Sequence, residues 1–139
     1  MAKAALTSVT LGVADLGRAT RFYVEGLAFT LEAFRGVDHE IGEGRFFHFG
    51  DMRLTLWLLT SMQSDTGLAL ETRASATVLG CSLASQEAVD ERVRACAHVD
   101  GRVVVEPRLN FWGGYSGYVE DPDGHLWELS YDPGVLRGT

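Results

Sequence analysis

Tyr115-Ser116-Gly117-Tyr118-Val119-Glu120-Asp121-Pro122-Asp123-Gly124-His125-Leu126-Trp127-Glu128-Leu129-Ser130-Tyr131 is a hairpin written out in full. Two extended runs, Tyr115 to Glu120 and His125 to Tyr131, flank the turn Asp121-Pro122-Asp123-Gly124. Proline suits the second position of such a turn, and glycine accepts the positive φ that the turn demands. Strand side chains alternate between faces. If Glu128 faces inward, so do Leu126 and Ser130, while Trp127, Leu129 and Tyr131 pack toward a helix.

Upstream of the hairpin, Val78 to Leu83 alternates as a strand and Ser85 takes a helix N-cap position. Val89, Val93 and Cys96 then form an i, i+4, i+7 apolar stripe, Gly101 closes the helix, and Arg102 to Glu106 is the next strand. The second half therefore reads β-α-β-β-β. The same order appears about 70 residues earlier, which points to a duplicated supersecondary unit, the alternative being a generic α+β domain. Leu6 to Val13 is a strand, and Asp15 caps a helix carrying Leu16, Ala19, Phe22 and Tyr23. Gly26 is placed to end that helix in a left-handed conformation. Leu27 to Phe34 reads as a strand, and Gly44 to Phe49 with Met52 to Leu59 as a hairpin around Gly50-Asp51. The polar, irregular stretch 60–74 separates the halves. The expected organisation is one domain over residues 1–139, with a first module at 4–60, a linker at 61–74 and a second module at 75–132.

Composition restricts the function classes. The 139 residues are enough for one core without disulfide staples, and 46% hydrophobic with 22% charged residues is a globular balance. The net charge of −7 without a Lys/Arg cluster argues against a nucleic-acid or anionic-membrane surface, so neither is expected as a partner. No apolar run approaches a membrane span, and the opening residues lack the apolar core of a signal peptide. Cys81 and Cys96 sit in apolar patterns without metal spacing. They read as two thiols in a reducing cytoplasm, a single bridge being the alternative.

Two segments carry a family resemblance. Val9-Thr10-Leu11-Gly12-Val13-Ala14-Asp15-Leu16 with Arg21-Phe22-Tyr23 resembles the opening strand and helix of the vicinal-oxygen-chelate superfamily of glyoxalase, bleomycin-resistance and dioxygenase proteins. The run from Phe111 to Glu128, with its Asp-Pro-Asp-Gly-His-x-x-Glu ending, is similar to the close of many glyoxalase-like members. The resemblance covers essentially the whole chain. It implies an α+β fold of two βαβββ modules, mixed sheets curled around a shared cavity, and frequently a homodimer. It does not fix a reaction, because isomerases, lyases, dioxygenases, thiol transferases and binding proteins share the fold.

Metal-using members place four ligands on the first and last strands of the two modules. The corresponding positions here are Ser8, Thr55, Val78 and Glu128. Only Glu128 is a plausible ligand, and a slip of one residue to Thr77 or Leu79 adds none. One carboxylate with hydroxyls does not hold a transition metal against water, so no cofactor is expected and a divalent metal at Glu128 is the alternative.

Alternation places Arg53, Thr55 and Trp57, with Ser8, Thr10 and Gly12, on the inward face of the first module. His48, beside Phe46, Phe47 and Phe49, either lines the cavity or packs. Trp112, Tyr115 and Tyr118 either wall one end of the cavity or pack on the paired module. Glu128 is open to roles as a general base, an anchor for a cationic ligand, or a structural partner of Arg53. Arg53 is either a clamp for an anionic substrate or a solvated arginine. The expected function is metal-free binding of a small apolar or aromatic molecule by a cytoplasmic homodimer. The alternative is a glyoxalase-like lyase, isomerase or dioxygenase-type enzyme using Glu128 with or without a divalent metal. A structural dimer with a vestigial cavity is a third reading.

Overall fold

The computed structural model describes residues 2–32, 44–73 and 76–136. The elements are β1 (Ser8–Val13), α1 (Leu16–Arg21) with a π-helical turn at Phe22–Gly26, β2 (Gly44–Phe49), β3 (Met52–Leu58), α2 (Leu59–Thr66), β4 (Val78–Ser82), α3 (Gln86–Ala97), β5 (Arg102–Leu109), β6 (Tyr115–Glu120), β7 (Leu126–Tyr131) and α4 (Pro133–Leu136). They make an α+β fold with two sheets, ordered β1-β3-β2 and β4-β7-β6-β5. In each sheet the first and last strands of a module pair in parallel, with Thr10 opposite Thr55 and Gly80 opposite Glu128.

Both helix starts follow the sequence. Asp15 accepts from Arg18 N at 2.8 Å and Ser85 accepts from Ala88 N at 3.0 Å. Val89, Val93 and Cys96 are buried as expected, and they meet Leu11, Val13, Phe22, Tyr23, Leu54, Leu56, Val119 and Leu129 in one core. Full burial of each aliphatic side chain contributes about 1.5–3 kcal/mol, which binds the two halves through a shared interior.

Four local expectations are corrected. Gly26 is not left-handed; Ala28 is, at φ 61°, and it breaks the run expected as a strand over residues 27–34. Residues 27–32 contribute a single antiparallel bridge, Glu32 to Phe46, and residues 33 and 34 lie outside the described residues. Gly101 closes α3 as the sequence implies, its N–H donating to Cys96 O at 3.0 Å, with Asp100 left-handed at φ 64° just before it. Gly101 is needed for close approach, because a Cβ there would lie 2.8 Å from the Phe22 ring. The stretch 60–74 is not irregular throughout, since α2 covers its start and ends at Gly67, φ 73°. Strand β5 runs on to Leu109 through two register shifts, which accommodate Pro107 in the ladder. Among the described residues no helix is long and apolar enough to cross a membrane.

The Asp121–Gly124 turn does more than reverse the chain. Asp121 Oδ1 accepts from the amides of Asp123 and His125, both at 2.9 Å, closing the turn on itself. Its other oxygen accepts from Tyr23 OH of the first module at 2.7 Å, and Trp127 Nε1 donates to that hydroxyl at 3.0 Å. Asp123 Oδ1 accepts from Ala14 N at 2.9 Å, and the His125 ring, through Nε2–H, donates to Gly12 O at 2.7 Å. The hairpin of the second module is thereby bolted to the first strand and helix of the first module.

Burial and the neighbouring Asp121 carboxylate push the Tyr23 phenol well above its ordinary value. Burial likewise raises Asp121. The native state thus holds both protons more tightly than the unfolded chain does. The Asp121 contribution is full at the acid end and is lost as pH rises above the ordinary carboxylate range; the Tyr23 contribution is lost above about pH 10. Tyr23→Phe strands the Asp121 carboxylate and the Trp127 N–H, and is expected to cost about 2–4 kcal/mol in urea denaturation. The same substitution should flatten the fall in wild-type stability above about pH 10.

Candidate functional site at the seam between the sheets

Strands β1 and β4 each have one parallel neighbour, so each leaves a free edge at the seam between the sheets. A cavity of about 400 Å3 opens there. Its walls are Val9 and Leu79 from the edge strands, Leu54 and Trp127 from their neighbours, and the rings of Phe29 and Phe49. Phe29 lies at the centre of an aromatic cluster, 4.8 Å from Phe49 and 5.7 Å from Trp127 between ring centroids, both edge to face. Because Trp127 is held by Tyr23, the bolt that joins the modules also fixes this wall.

Polar groups at the cavity are few: Arg53, Ser82 and the Cys81 thiol. Burial pushes Cys81 up to about 12, so it is a neutral, weakly polar wall rather than a nucleophile. Arg53 is the only charged residue lining the cavity among the described residues, and its guanidinium lies over the Phe46 ring at 5.7 Å. A second cavity of about 240 Å3 lies further along the seam, between β1 and α2, with Val9 and Leu79 as the shared waist.

The remaining candidates are dispersed. Ser8 stands opposite Arg53 on the edge strand. Thr55 is buried between Thr10 and Phe46, and its Oγ1 has no hydrogen-bond partner among the described residues. Trp57 covers Gly44, where a Cβ would come within 2.7 Å of the indole. His48 stands opposite Arg53 on β2, its Nδ1 3.2 Å from Glu32 Oε2. Glu128 faces Tyr118 across β6 and β7; burial and this carboxylate raise the Tyr118 phenol. Glu128 and Arg53 belong to different sheets.

Trp112 and Tyr115 line one recess, and Tyr118 does not join them there. Tyr115 and Tyr118 are three apart on a strand and so face opposite ways, and Tyr115 OH donates to Asp90 of α3 at 2.7 Å. Trp112 sits at the exposed β5–β6 tip, packed edge to face on Phe111, with Gly113 at φ 92° making the turn. A recess of about 170 Å3 adjoins Glu128, Ser116, Ser130 and Trp112. His39 lies outside the described residues.

The fold-family metal positions offer the Ser8 and Thr55 hydroxyls in one sheet, and the Val78 aliphatic chain with the Glu128 carboxylate in the other. Among the described residues no three His, Cys, Asp or Glu side chains come together as a metal-holding group. This donor set does not fit a resident transition metal, and no chemistry is derived through one.

Residues 5–129 match the family model of the Glyoxalase/Bleomycin resistance protein/Dioxygenase superfamily, and the chain belongs to that superfamily. Among solved structures it is similar to a glyoxalase-related enzyme from Fulvimarina pelagi, at 29% identity and TM-score 0.82, covering 93% of this chain and 88% of that one. A hypothetical protein from S. aureus matches at 22% identity and TM-score 0.78, over 95% of each chain. The lactoylglutathione lyase from Agrobacterium tumefaciens shares the fold at 20% identity and TM-score 0.65, over 99% of this chain and 98% of that one. No curated protein matches the chain.

Most seam residues escape a strand-by-strand reading. Alternation assigns Leu54 and Trp127 to the helix side, which is correct, but the gap between two free sheet edges is a tertiary feature. The one local signal is the density of rings at Phe29, Phe46, Phe47 and Phe49.

Burial holds both cysteines at about 12, so alkylation by iodoacetamide at pH 8 should run about a thousandfold slower than for a free thiol. Timed mass spectrometry of the native protein measures this.

Proposed function

We propose that the chain binds a small apolar or aromatic molecule in the seam cavity without a metal. The observation that carries this reading is the cavity itself: about 400 Å3, walled by aliphatic and aromatic side chains, with one charged group at its lining. Ligand sites have this chemistry, a mostly apolar wall with few directional groups. The alternative, Glu128 as a catalytic base, has a smaller and more polar setting.

A homodimer in the cytoplasm is part of the same proposal. Leu109, Phe111 and Trp112 stand out at the β5–β6 tip, Phe111 being 96% exposed, and so large an apolar projection favours burial against a second copy. Two free cysteines suit a reducing compartment. Phe111→Ser combined with Trp112→Ser is expected to convert a sedimenting dimer to a monomer with an unchanged circular dichroism spectrum.

The binding reading is tested by thermal shift against a panel of neutral and charged aromatic fragments in the presence of EDTA. A fragment at a hundred times its Kd should stabilise the protein by about 2.7 kcal/mol, and Leu79→Trp, which fills the cavity, should abolish the shift. A panel without binders, or shifts untouched by Leu79→Trp, contradicts the proposal.

A further inference from the structure

The two rims of the seam cavity carry complementary polar groups. Arg53 comes from β3 of the first sheet, and Gly80 and Ser82 come from β4 of the second. The orientation of the β4 backbone follows from its pairing with β7. Leu83 N donates to Ser130 O at 2.7 Å, so the main-chain groups of Leu83, and of Cys81 two residues before it, face β7. Strand alternation then turns the N–H groups of Gly80 and Ser82 the other way, toward the free edge and the seam. The Ser82 hydroxyl adds a further donor on the same strand. Both Gly80 and Ser82 are exposed, whereas Leu79, Cys81 and Trp127 beneath them are not. The cavity is thus apolar below, with donors and a cation at its mouth.

A ligand that satisfies this arrangement has a flat apolar body and one anionic, planar head. We propose that the seam cavity takes an aromatic carboxylate, its ring against Phe29, Phe49 and Trp127 and its carboxylate between the Arg53 guanidinium and the β4 edge at Ser82. Resting on the binding reading above, this names the chemical class that the same cavity prefers. A guanidinium offers five donors in one plane, so it can grip a carboxylate edge-on while its flat face stays over the Phe46 ring. The chain as a whole carries a net charge of −7, which repels anions at long range. Preference for a carboxylate therefore has to come from these local groups rather than from the overall field. Because the two rims belong to different sheets, a bound carboxylate also ties the modules together.

The test compares naphthoate with its neutral isostere naphthamide by isothermal titration calorimetry, on the intact protein with EDTA present. Naphthoate is expected to bind about tenfold or more tightly than naphthamide, since a hydrogen bond to a charged group outweighs one to a neutral group. Added salt should narrow the ratio, because the rim is open to solvent. Arg53→Met, which removes the guanidinium and keeps an apolar chain in its place, should weaken naphthoate by a similar factor and leave naphthamide nearly unchanged. If both compounds bind with equal affinity, or naphthamide binds more tightly, the carboxylate assignment is overturned while the cavity stands. If neither binds, the cavity reading itself fails. The comparison of the two compounds on the wild-type protein decides the matter even where Arg53→Met does not fold.

Discussion

Everything in this molecule hangs on the hydrogen bonds between Tyr23, Asp121 and Trp127. A chain of two sheets has to solve one problem that a single sheet does not: how the halves sit relative to each other. Here the turn of the second half presents a carboxylate to the phenol of the first, and the indole three residues past that turn donates back to the same phenol. A buried carboxylate is costly unless its oxygens are satisfied, and Asp121 accepts from two turn amides as well as from Tyr23. One side chain therefore closes a turn, docks a hairpin and orients an aromatic wall. The apolar core would allow many relative placements of the sheets; these directional contacts select one.

The seam follows from that selection. Once the modules are fixed through the helix side of their sheets, β1 and β4 face each other with free edges and cannot close into a ladder. The space between them is where side chains of both modules meet without filling the volume. Large rings on one side and small residues, Gly80 and Ser82, on the other keep it open. The result is a cleft of about 400 Å3 beside an aromatic cluster, with the mostly apolar lining on which the binding proposal rests.

The fold was legible because its signals are local. The Asp-Pro-Asp-Gly turn, the caps at Asp15 and Ser85 and the stripe Val89, Val93, Cys96 depend on neighbours a few residues away, and each stands as the sequence implies. Where local signals failed, a specific contact won. Ala28 takes a left-handed conformation usually left to glycine, and α2 forms from a polar stretch that resembles a loop. The site was less legible. Alternation puts Thr55, Trp57 and Glu128 on one kind of face, but it cannot show that the ring-lined gap opens at the seam between the sheets. Of the residues chosen from sequence, Arg53 alone lines the large cavity, and Trp112, Tyr115 and Glu128 line a smaller recess. The three aromatics near the Gly-rich turn were grouped by proximity in sequence, although Tyr115 and Tyr118 stand on opposite faces.

The most direct test of the account is where a ligand lands. Heteronuclear NMR of the isotopically labelled protein, titrated with naphthoate in the presence of EDTA, reads this residue by residue. The account predicts shifts at Val9, Leu79, Gly80, Cys81 and Ser82 and at the Trp127 indole N–H, with Tyr118 and Glu128 unmoved. Shifts confined to Ser116, Tyr118 and Glu128, or binding that appears only when a divalent metal replaces the chelator, would contradict it.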